Sequence, residues 1–520
     1  MRFEQGPAAR AMPPHTWSAA ALASSLGVAL LIAWGCSPAA TPSASDAGDA
    51  TTAAADVAVP PAAPPVIEGV LPPWLGPGGM AGADSGFAPV LAGGAAAGAL
   101  AVAPLGPAVA WDRGGRLLIA GGATVASDTV DPLLGAALGA LSAKILVLDP
   151  LARTLGAGPV ALPRARAWAS AARTTGVILI AGGLVAGDAS AEPSGQISWL
   201  DAVTRGLHTP SLAGAKTDLA FARGGAPAVH LIDGTDFALI LGGVGVDFAA
   251  QSWELTSASD GVLAQGLLSG PRAHHGVVRV GDAGGGTILL IGGENAGGAL
   301  ADFEEIAFSA AGKIARADHP DPDWQPVRQT FPTGVGATLP GGAFVDRPGL
   351  RVVVIAGGFT DLGHTKPTAA LLLFDVERWQ WVTGTFQPSK ALASGGAWTG
   401  VPSAFALQQP RGAPLVAWVP AAGGGRVLIA GGVGTSGDTL DSAEVWDPDD
   451  LAVAVSGAIA SGETLTWQAQ TTALATKLPD GGRAHGRMAV HPAGFVAIVG
   501  GLSHQTGSWT GRPETLLWRP

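Results

Sequence analysis

Two short segments of the chain place histidine close to arginine in the same local pattern. One reads Pro271-Arg-Ala-His-His-Gly and the other Gly482-Arg-Ala-His-Gly, so Arg272, His274 and His275 correspond to Arg483 and His485. Imidazole and guanidinium groups bind anions, and imidazole also transfers protons near neutral pH. The five side chains are therefore candidate binding residues. Because the pattern is repeated, we favour a structural role in which they bond the surrounding backbone.

Other patterns of chemical interest are weak. The 10 histidines and the single cysteine show no His-x-x-x-His or Cys/His zinc spacing. Asp318–Asp323 has three carboxylates that could contact Ca²⁺, but its two prolines and lack of the EF-hand glycine favour a solvated loop. Ser257–Gly261 is interpreted as a turn. With no nucleophile elbow or phosphate-binding loop, we predict no metal and no cofactor.

Composition limits the classes of protein that remain. Of 520 residues, 78 are glycine and none is tyrosine, 48% are hydrophobic and 13% are charged. This apolar content excludes a disordered chain. A net charge of −11 gives no general attraction to phosphate backbones, so nucleic acid is not an expected partner.

The N-terminus carries an export signal. Arg2 and Arg10 precede an apolar stretch from Thr16 to Gly35, which ends at Cys36. The arrangement resembles a bacterial lipoprotein signal, which implies a signal peptide over 1–35, lipidation of Cys36, and an outer-membrane or cell-surface location. Ala33 and the bulky Trp34 depart from that pattern, so an ordinary signal peptide or an uncleaved anchor stays open, with a periplasmic or secreted product.

A spacer follows the signal. Residues 36–65 are rich in Pro, Ala, Ser and Thr and contain no aromatic residue. Such a sequence cannot bury enough surface to offset its ordering entropy, so it predicts an extended tether.

Seven copies of one phrase cover the rest of the chain. Each is an apolar run closed by two glycines, at successive spacings of 61, 60, 50, 65, 74 and 69 residues. A run that is apolar on both faces predicts a strand buried between sheets. The glycine pairs are Gly121-Gly122, Gly182-Gly183, Gly242-Gly243, Gly292-Gly293, Gly357-Gly358, Gly431-Gly432 and Gly500-Gly501.

A second apolar strand follows each pair. In four copies it ends in aspartate, at Asp149, Asp201, Asp375 and Asp447, which predicts a turn at that point. The Arg-Ala-His segments precede the glycine strand. In this order the three elements resemble the kelch repeat, which implies an all-β, seven-bladed β-propeller of four-stranded antiparallel blades over 66–520. The glycine pairs are then expected to be structural, where backbones crowd together.

The last copy lacks room for a full blade. After Gly501 only Glu514–Trp518 reads as a strand, so the seventh blade would be one strand short. We expect Pro65–Leu71 to supply that strand and close the ring.

The resemblance leaves function open between two classes. A galactose-oxidase-like copper site requires tyrosine ligands, which this chain lacks. We predict a non-enzymatic, monomeric binding module for an unidentified protein or glycan, attached to the membrane only by its lipid. Lys366 and Trp398 are candidate exposed recognition residues. The alternative is a secreted propeller enzyme acting on carbohydrate as an isomerase, lyase or hydrolase, with convergent carboxylates and arginine at the axial mouth.

Overall fold

The structure is a computed structural model, and the residues that it describes begin at Phe87. The expected signal peptide and tether, Cys36, Pro65–Leu71 and Asp318–Asp323 lie outside the described residues. The described ranges are 87–89, 105–125, 138–187, 191–210, 212, 214–246, 248–282, 285–309, 312, 314, 328–347, 349–389, 395–400, 405–421, 424–474, 477–478, 482–505, 507–512 and 514–520.

The fold is all-β and propeller-like. Among the described residues, seven antiparallel sheets each contain four strands that pair side by side, and the glycine-pair strand is the second of the four. We number them in that order. Sheet 1 contains Ala108–Trp111, Leu117–Ala120, Ile145–Asp149 and Thr154–Ala157; sheet 2, Ser170–Arg173, Val177–Ala181, Ile197–Asp201 and Leu207–His208; sheet 3, Ala228–His230, Ala238–Leu241, Ser252–Ser257 and Gly261–Leu267; sheet 4, Gly276–Asp282, Gly285–Ile291, Asp302–Ser309 and Arg328–Thr330.

The remaining sheets follow the same plan. Sheet 5 contains Gly341–Arg347, Leu350–Ala356, Ala370–Asp375 and Gln380–Trp381, with Phe405–Ala406 also paired to its third strand; sheet 6, Leu415–Ala421, Gly424–Ala430, Ala443–Trp446 and Thr471–Ala473; sheet 7, Arg487–His491, Phe495–Val499, Thr515–Trp518 and Ala88–Pro89.

The glycine-pair strands form the centre of the hydrophobic core. Every residue of Val177–Ala181 and Phe495–Val499 is buried, as their two apolar faces predict. Separate apolar clusters join successive sheets, and one of them joins sheet 7 to sheet 1. In that cluster Trp111 donates from Nε1 to the carbonyl of Ala489 at 3.0 Å and meets Phe495 edge-on at 5.4 Å.

The expected aspartate turns form in three of the four copies. Oδ1 of Asp149 and of Asp201 accepts from the backbone N–H two residues later, at 3.0 and 2.9 Å, and Oδ1 of Asp375 accepts from the N–H of Arg378 at 3.1 Å. At Asp447 the corresponding bond, from the N–H of Asp449 at 2.9 Å, caps the N-terminus of a helix, so the expected turn is replaced there. Residues 258–260 also form a turn, as expected, and Ser257 there donates its hydroxyl to Asp260.

The strand that completes sheet 7 differs from the expected one. Thr515–Trp518 pairs on its outer side with Ala88–Pro89, in the register Ala88 to Leu517 and Pro89 to Leu516. The pairing segment therefore begins 17 residues beyond Leu71. The interval after Gly501 also holds a separate hairpin, Leu502–Gln505 with Ser508–Gly511, that the sequence analysis did not predict.

Similar hairpins follow four of the other glycine pairs. They are Ala123–Val125 with Leu138–Leu141, Leu184–Ala186 with Ala191–Pro193, Val244–Gly245 with Phe248–Ala249, and Glu294–Asn295 with Gly298–Ala299.

An unexpected element lies beside sheets 5 and 6. The helix Pro448–Ser461 begins at the N-cap Asp447 and ends at Gly462, whose φ of 71° is the left-handed cap that glycine favours. It packs through Leu451 and Val455 into the cluster that also holds Phe386. A three-stranded sheet, Gly396–Thr399, Thr385–Pro388 and Leu465–Thr466, completes this insertion. Within the described ranges, no helix has the length and apolarity needed to cross a bilayer.

Candidate functional site: the pocket where the sheets converge

A buried arginine links each of five sheets to its glycine pair. The arginine precedes the first strand, is fully buried, and donates from its guanidinium to the carbonyl of the first glycine. The five bonds are Arg166 to Gly182 at 3.1 Å, Arg223 to Gly242 at 3.2 Å, Arg272 to Gly292 at 2.6 Å, Arg411 to Gly431 at 2.8 Å and Arg483 to Gly500 at 3.1 Å.

The backbone of the same arginine reaches the preceding sheet. The second glycine of sheet 2, Gly183, donates its N–H to the carbonyl of Arg223 in sheet 3 at 2.8 Å, and Gly243 donates to Arg272 at 2.9 Å. Each arginine therefore bonds its own sheet through the side chain and the previous sheet through the main chain.

This link explains why glycine occupies the first position of the pair. Gly182 has φ of 63°, in the left-handed region, and a Cβ built there would lie 2.4 Å from the carbonyl oxygen of Arg223. Gly292 has φ of 56° and would meet the carbonyl oxygen of Ala337 in the same way. A side chain would have to displace backbone at either position.

The burial of Arg272 and Arg483 decides what they can contact. Arg272 Nη2 lies 2.9 Å from Asp302 Oδ1, and Arg483 Nη2 lies 3.5 Å from Glu514 Oε2. Both guanidinium groups are thus used inside the fold, and neither is presented to a ligand.

Two residues after the arginine, the chain enters a pocket. Trp168, His274, Ala413 and His485 stand at this position, and Leu339 stands at the same position after Ala337, all with φ between 47° and 57°. All five line one cavity of about 320 Å³ together with residues that begin the first strands. The pocket therefore lies where the first strands of sheets 2 to 7 converge.

Arg487 is the principal cation of this pocket. It begins the first strand of sheet 7 and is partly exposed, and its guanidinium carbon lies 5.3 Å from the centroid of the Trp168 ring. Burial lowers the pKa of Arg487 to about 10, so the group is still protonated at neutral pH. In the part of the chain that the structure describes, the guanidinium of Arg487 makes no hydrogen bond or ion pair, and the described lining residues include no carboxylate.

His275 is a second polar group without a partner. It is buried, and neither ring nitrogen has a hydrogen-bond partner among the described residues. Burial, followed by the nearby positive charges of Arg272 and His274, lowers the pKa of His275 well below its usual value. A neutral imidazole with one donor and one acceptor therefore lines the pocket.

His274 is held by a buried acid. Its Nδ1 lies 2.7 Å from Glu294 Oε1, and His364 Nε2 lies 3.1 Å from the other carboxylate oxygen. Burial by itself raises the pKa of Glu294, but the hydrogen bonds and positive charge of the two histidines outweigh it and lower that pKa to about 2. His274 thus bonds a side chain, where we expected it to bond backbone.

The other sequence candidates lie elsewhere. Trp398 is 7% exposed, packs on Phe386 and donates from Nε1 to Asp375 at 3.0 Å, so it belongs to the core of the insertion and is not an exposed recognition residue. Lys366 is exposed, in the loop that carries His364. His485 lines the pocket and lies 6.0 Å from the ring of Trp509.

Three functional candidates were absent from the sequence analysis. Arg487 follows His485 by two residues, so its place in the repeat was a usable signal. Glu294 follows directly on Gly293, while His364 is 90 residues from His274, and no local spacing links these two to the Arg-Ala-His segment.

Comparison with known proteins adds little to this description. No protein-family model matches the chain. No curated protein matches it either. The chain is similar to a solved structure titled "Structure of YjhT", with 15% identity over 69% of this chain and 97% of that one, at a TM-score of 0.41. That likeness is too distant to carry an argument about function.

Proposed function

We propose that this chain is an exported binding protein of the kelch type whose seven sheets close into a ring, and that its axial pocket holds a small carboxylate ligand without transforming it. The observation that carries the proposal is Arg487, a cation in a pocket with no described acidic partner. A carboxylate would supply the charge-assisted hydrogen bonds that the guanidinium lacks.

The ring is supported by contacts between the first and last sheets. Trp111 of sheet 1 packs on Phe495 of sheet 7, and Ala88–Pro89 adds the fourth strand to sheet 7 from the N-terminal side. A chain whose first and last segments share one sheet has no unpaired blade at that point.

The ligand class follows from the rest of the lining. His274 and His275 offer imidazole nitrogens to hydroxyl groups, and Arg487 offers a fork to a carboxylate. Hydroxyl groups and a carboxylate occur together in acidic sugars. Acidic monosaccharides derived from glycans are therefore the ligands that we propose first.

The anchor remains a proposal drawn from Cys36 at the end of the apolar stretch. Replacing Cys36 by Ser is expected to abolish labelling with a radioactive fatty acid and to release the chain from membranes. If the Cys36→Ser chain stays in the detergent phase, the apolar segment itself is the anchor.

The binding proposal is tested by calorimetric titration of the purified full-length chain with hexuronic acids and with the matched neutral hexoses. We expect the acids to bind and the neutral sugars to bind at least tenfold more weakly. Arg487→Met should remove the difference, whereas Arg426→Met, which changes a cation paired with Asp447 at 2.9 Å, should retain it.

A carbohydrate enzyme is the rival function, and the pair of His274 and Glu294 favours it. A histidine held by a carboxylate can act as a general base. Turnover of any sugar in the same panel that disappears in His274→Gln would overturn the binder. Selective binding of acids with no product formed would support it.

A further inference from the structure

The cluster of His274, Glu294 and His364 has the composition of a metal site. The structure brings one ligand atom of each residue to within 4.8 Å of the other two. We propose that these three residues bind one divalent transition-metal ion beside the pocket, with Zn²⁺ as the first ion to test.

The donor set fits such an ion. Two imidazole nitrogens and one carboxylate oxygen are the ligands of open zinc sites and of related transition-metal sites. Zinc lies about 2.0–2.2 Å from such atoms in a tetrahedral site, so two ligand atoms of one ion are about 3.4 Å apart. The three ligand atoms lie within 4.8 Å of one another, so a shift of one ring by about 1.4 Å or less would bring them into range of a single ion.

Each ligand is fixed by its own backbone. His274 stands at the repeated pocket position with φ of 51°, and Glu294 directly follows Gly293, whose N–H bonds the carbonyl of Ala337. His364 also has a left-handed backbone, with φ of 52°. Residues held in this region away from glycine mark positions that the surrounding structure constrains.

The loop that carries His364 is held together by hydrogen bonds to one carboxylate, that of Asp361. Asp361 Oδ1 accepts from the N–H groups of Thr365 and Lys366 at 3.0 and 2.8 Å, and its Oδ2 accepts from the Thr365 hydroxyl at 2.6 Å. The six residues from Asp361 to Lys366 thus form a closed turn with His364 inside it. Such a loop presents the imidazole with little entropy left to lose on binding.

Charge and access also agree with a cation. Glu294 and His364 have side chains only 2% and 4% exposed, so their carboxylate and imidazole are already freed of most of their water. His274 is 11% exposed and lines the pocket, which leaves a route for the ion and one open side for water or ligand. The described neighbours of the cluster include the apolar ring of Phe359, 5.3 Å from His364.

The site is tested by titrating the full-length chain with Zn²⁺ after chelator treatment, with no sugar present. We expect one tight equivalent by calorimetry and by elemental analysis. His364→Ala and Glu294→Gln should each weaken this binding at least tenfold. Glu294→Gln is nearly isosteric, so it still tests zinc binding by the cluster if His364→Ala does not fold.

His208→Gln is the matched control, because His208 bonds the carbonyl of Ala258 at 3.1 Å and lies outside the cluster. It should bind Zn²⁺ as the unaltered chain does. Co²⁺ gives a second readout, since its visible absorption bands should appear in the control and be absent from folded Glu294→Gln. Absence of a tight equivalent, or equal binding by cluster variants and control, would overturn the site and leave the three residues as a hydrogen-bonded contact.

Discussion

In sheet 3 the residue that receives the N–H of the preceding glycine pair is Arg223, and in sheet 5 it is Ala337, each at 2.8 Å. Arg223 donates to Ser252 at 2.7 Å and to Glu254 at 2.6 Å. Sheet 5 has Ala370 and Leu372 at those two places, so the cation and its carboxylate have been replaced together. A cavity of about 120 Å³ lined by Ala337, Ala370 and Leu372 stands where the arginine would lie.

The two sheets show that this position can be filled in two ways: by an arginine paired with a buried carboxylate, or by apolar residues at both places. A buried ion pair offers little net stability over an apolar replacement, but half of a pair is strongly unfavourable. The part common to both sheets is the main-chain link to the preceding glycine pair, which needs no side chain at all.

The largest expected effect breaks the pair in sheet 3. Arg223→Met leaves Glu254 buried without its cation, so we expect the free energy of unfolding to fall by about 3–5 kcal/mol in urea titrations. A loss below 1 kcal/mol would show that Glu254 is neutralised in another way.

The glycine pairs test whether the main chain carries the link. Gly182→Ala faces the carbonyl of Arg223, and Gly292→Ala faces that of Ala337. Because each clash is with backbone at positive φ, we expect the two variants to lose the same stability, about 2–4 kcal/mol each. Gly437→Ala, at φ of 84° with nothing near its Cβ, is the control and should lose less. A mild effect at Gly292 alone would assign the link to the arginine side chain.

Filling the cavity in sheet 5 should increase the free energy of unfolding, whereas the Arg223→Met change in sheet 3 should decrease it. Ala337→Met adds apolar volume where the structure has space, and we expect the chain to gain about 0.5–2 kcal/mol in thermal unfolding. Destabilisation by this variant would mean that the neighbouring sheet cannot accept a longer side chain.

The smallest expected change in stability comes from Glu305, one of two adjacent acidic residues in sheet 4. Glu304 lies 3.6 Å from Arg272, whereas Glu305 bonds only the hydroxyl of Thr287 at 3.2 Å. Burial raises the pKa of Glu305. A raised pKa means that Glu305 favours the folded state below its unfolded pKa, and that this contribution is lost as the pH rises through the folded value. Glu305→Gln should therefore be more stable than the unaltered chain at pH 7, by a fraction of 1 kcal/mol, and the gain should vanish near pH 4.

The repeated strands of the fold could be predicted from the sequence because their signals are local. An apolar run such as Val177–Ala181 followed by Gly182-Gly183 is a local signal, and it recurs wherever strands meet at close range. The helix Pro448–Ser461 also had local signals in its Asp447-Pro448 start and Gly462 end. Asp447-Pro448 was interpreted only as a turn because the same dipeptide, Asp149-Pro150, ends a strand in sheet 1.

The site was less accessible because it is assembled between sheets. Arg487 lies beside Trp168 of another sheet, and His274 lies beside His364, which is in a different sheet's loop. The residues of each pair are far apart in the sequence, so no sequence motif indicates that they are in contact. The strand Ala88–Pro89 was missed for a related reason, since two residues with no periodicity pair only because Leu516 and Leu517 are already in place.

The claim that the pocket is a binding site is tested most directly by a crystal structure of the chain with a hexuronic acid. We predict the ligand carboxylate at about 2.7–2.9 Å from the guanidinium of Arg487, with the sugar ring inside the cavity beside Trp168 and His485. A ligand bound outside this cavity, or Arg487 paired instead with a carboxylate of the chain itself, would contradict the account.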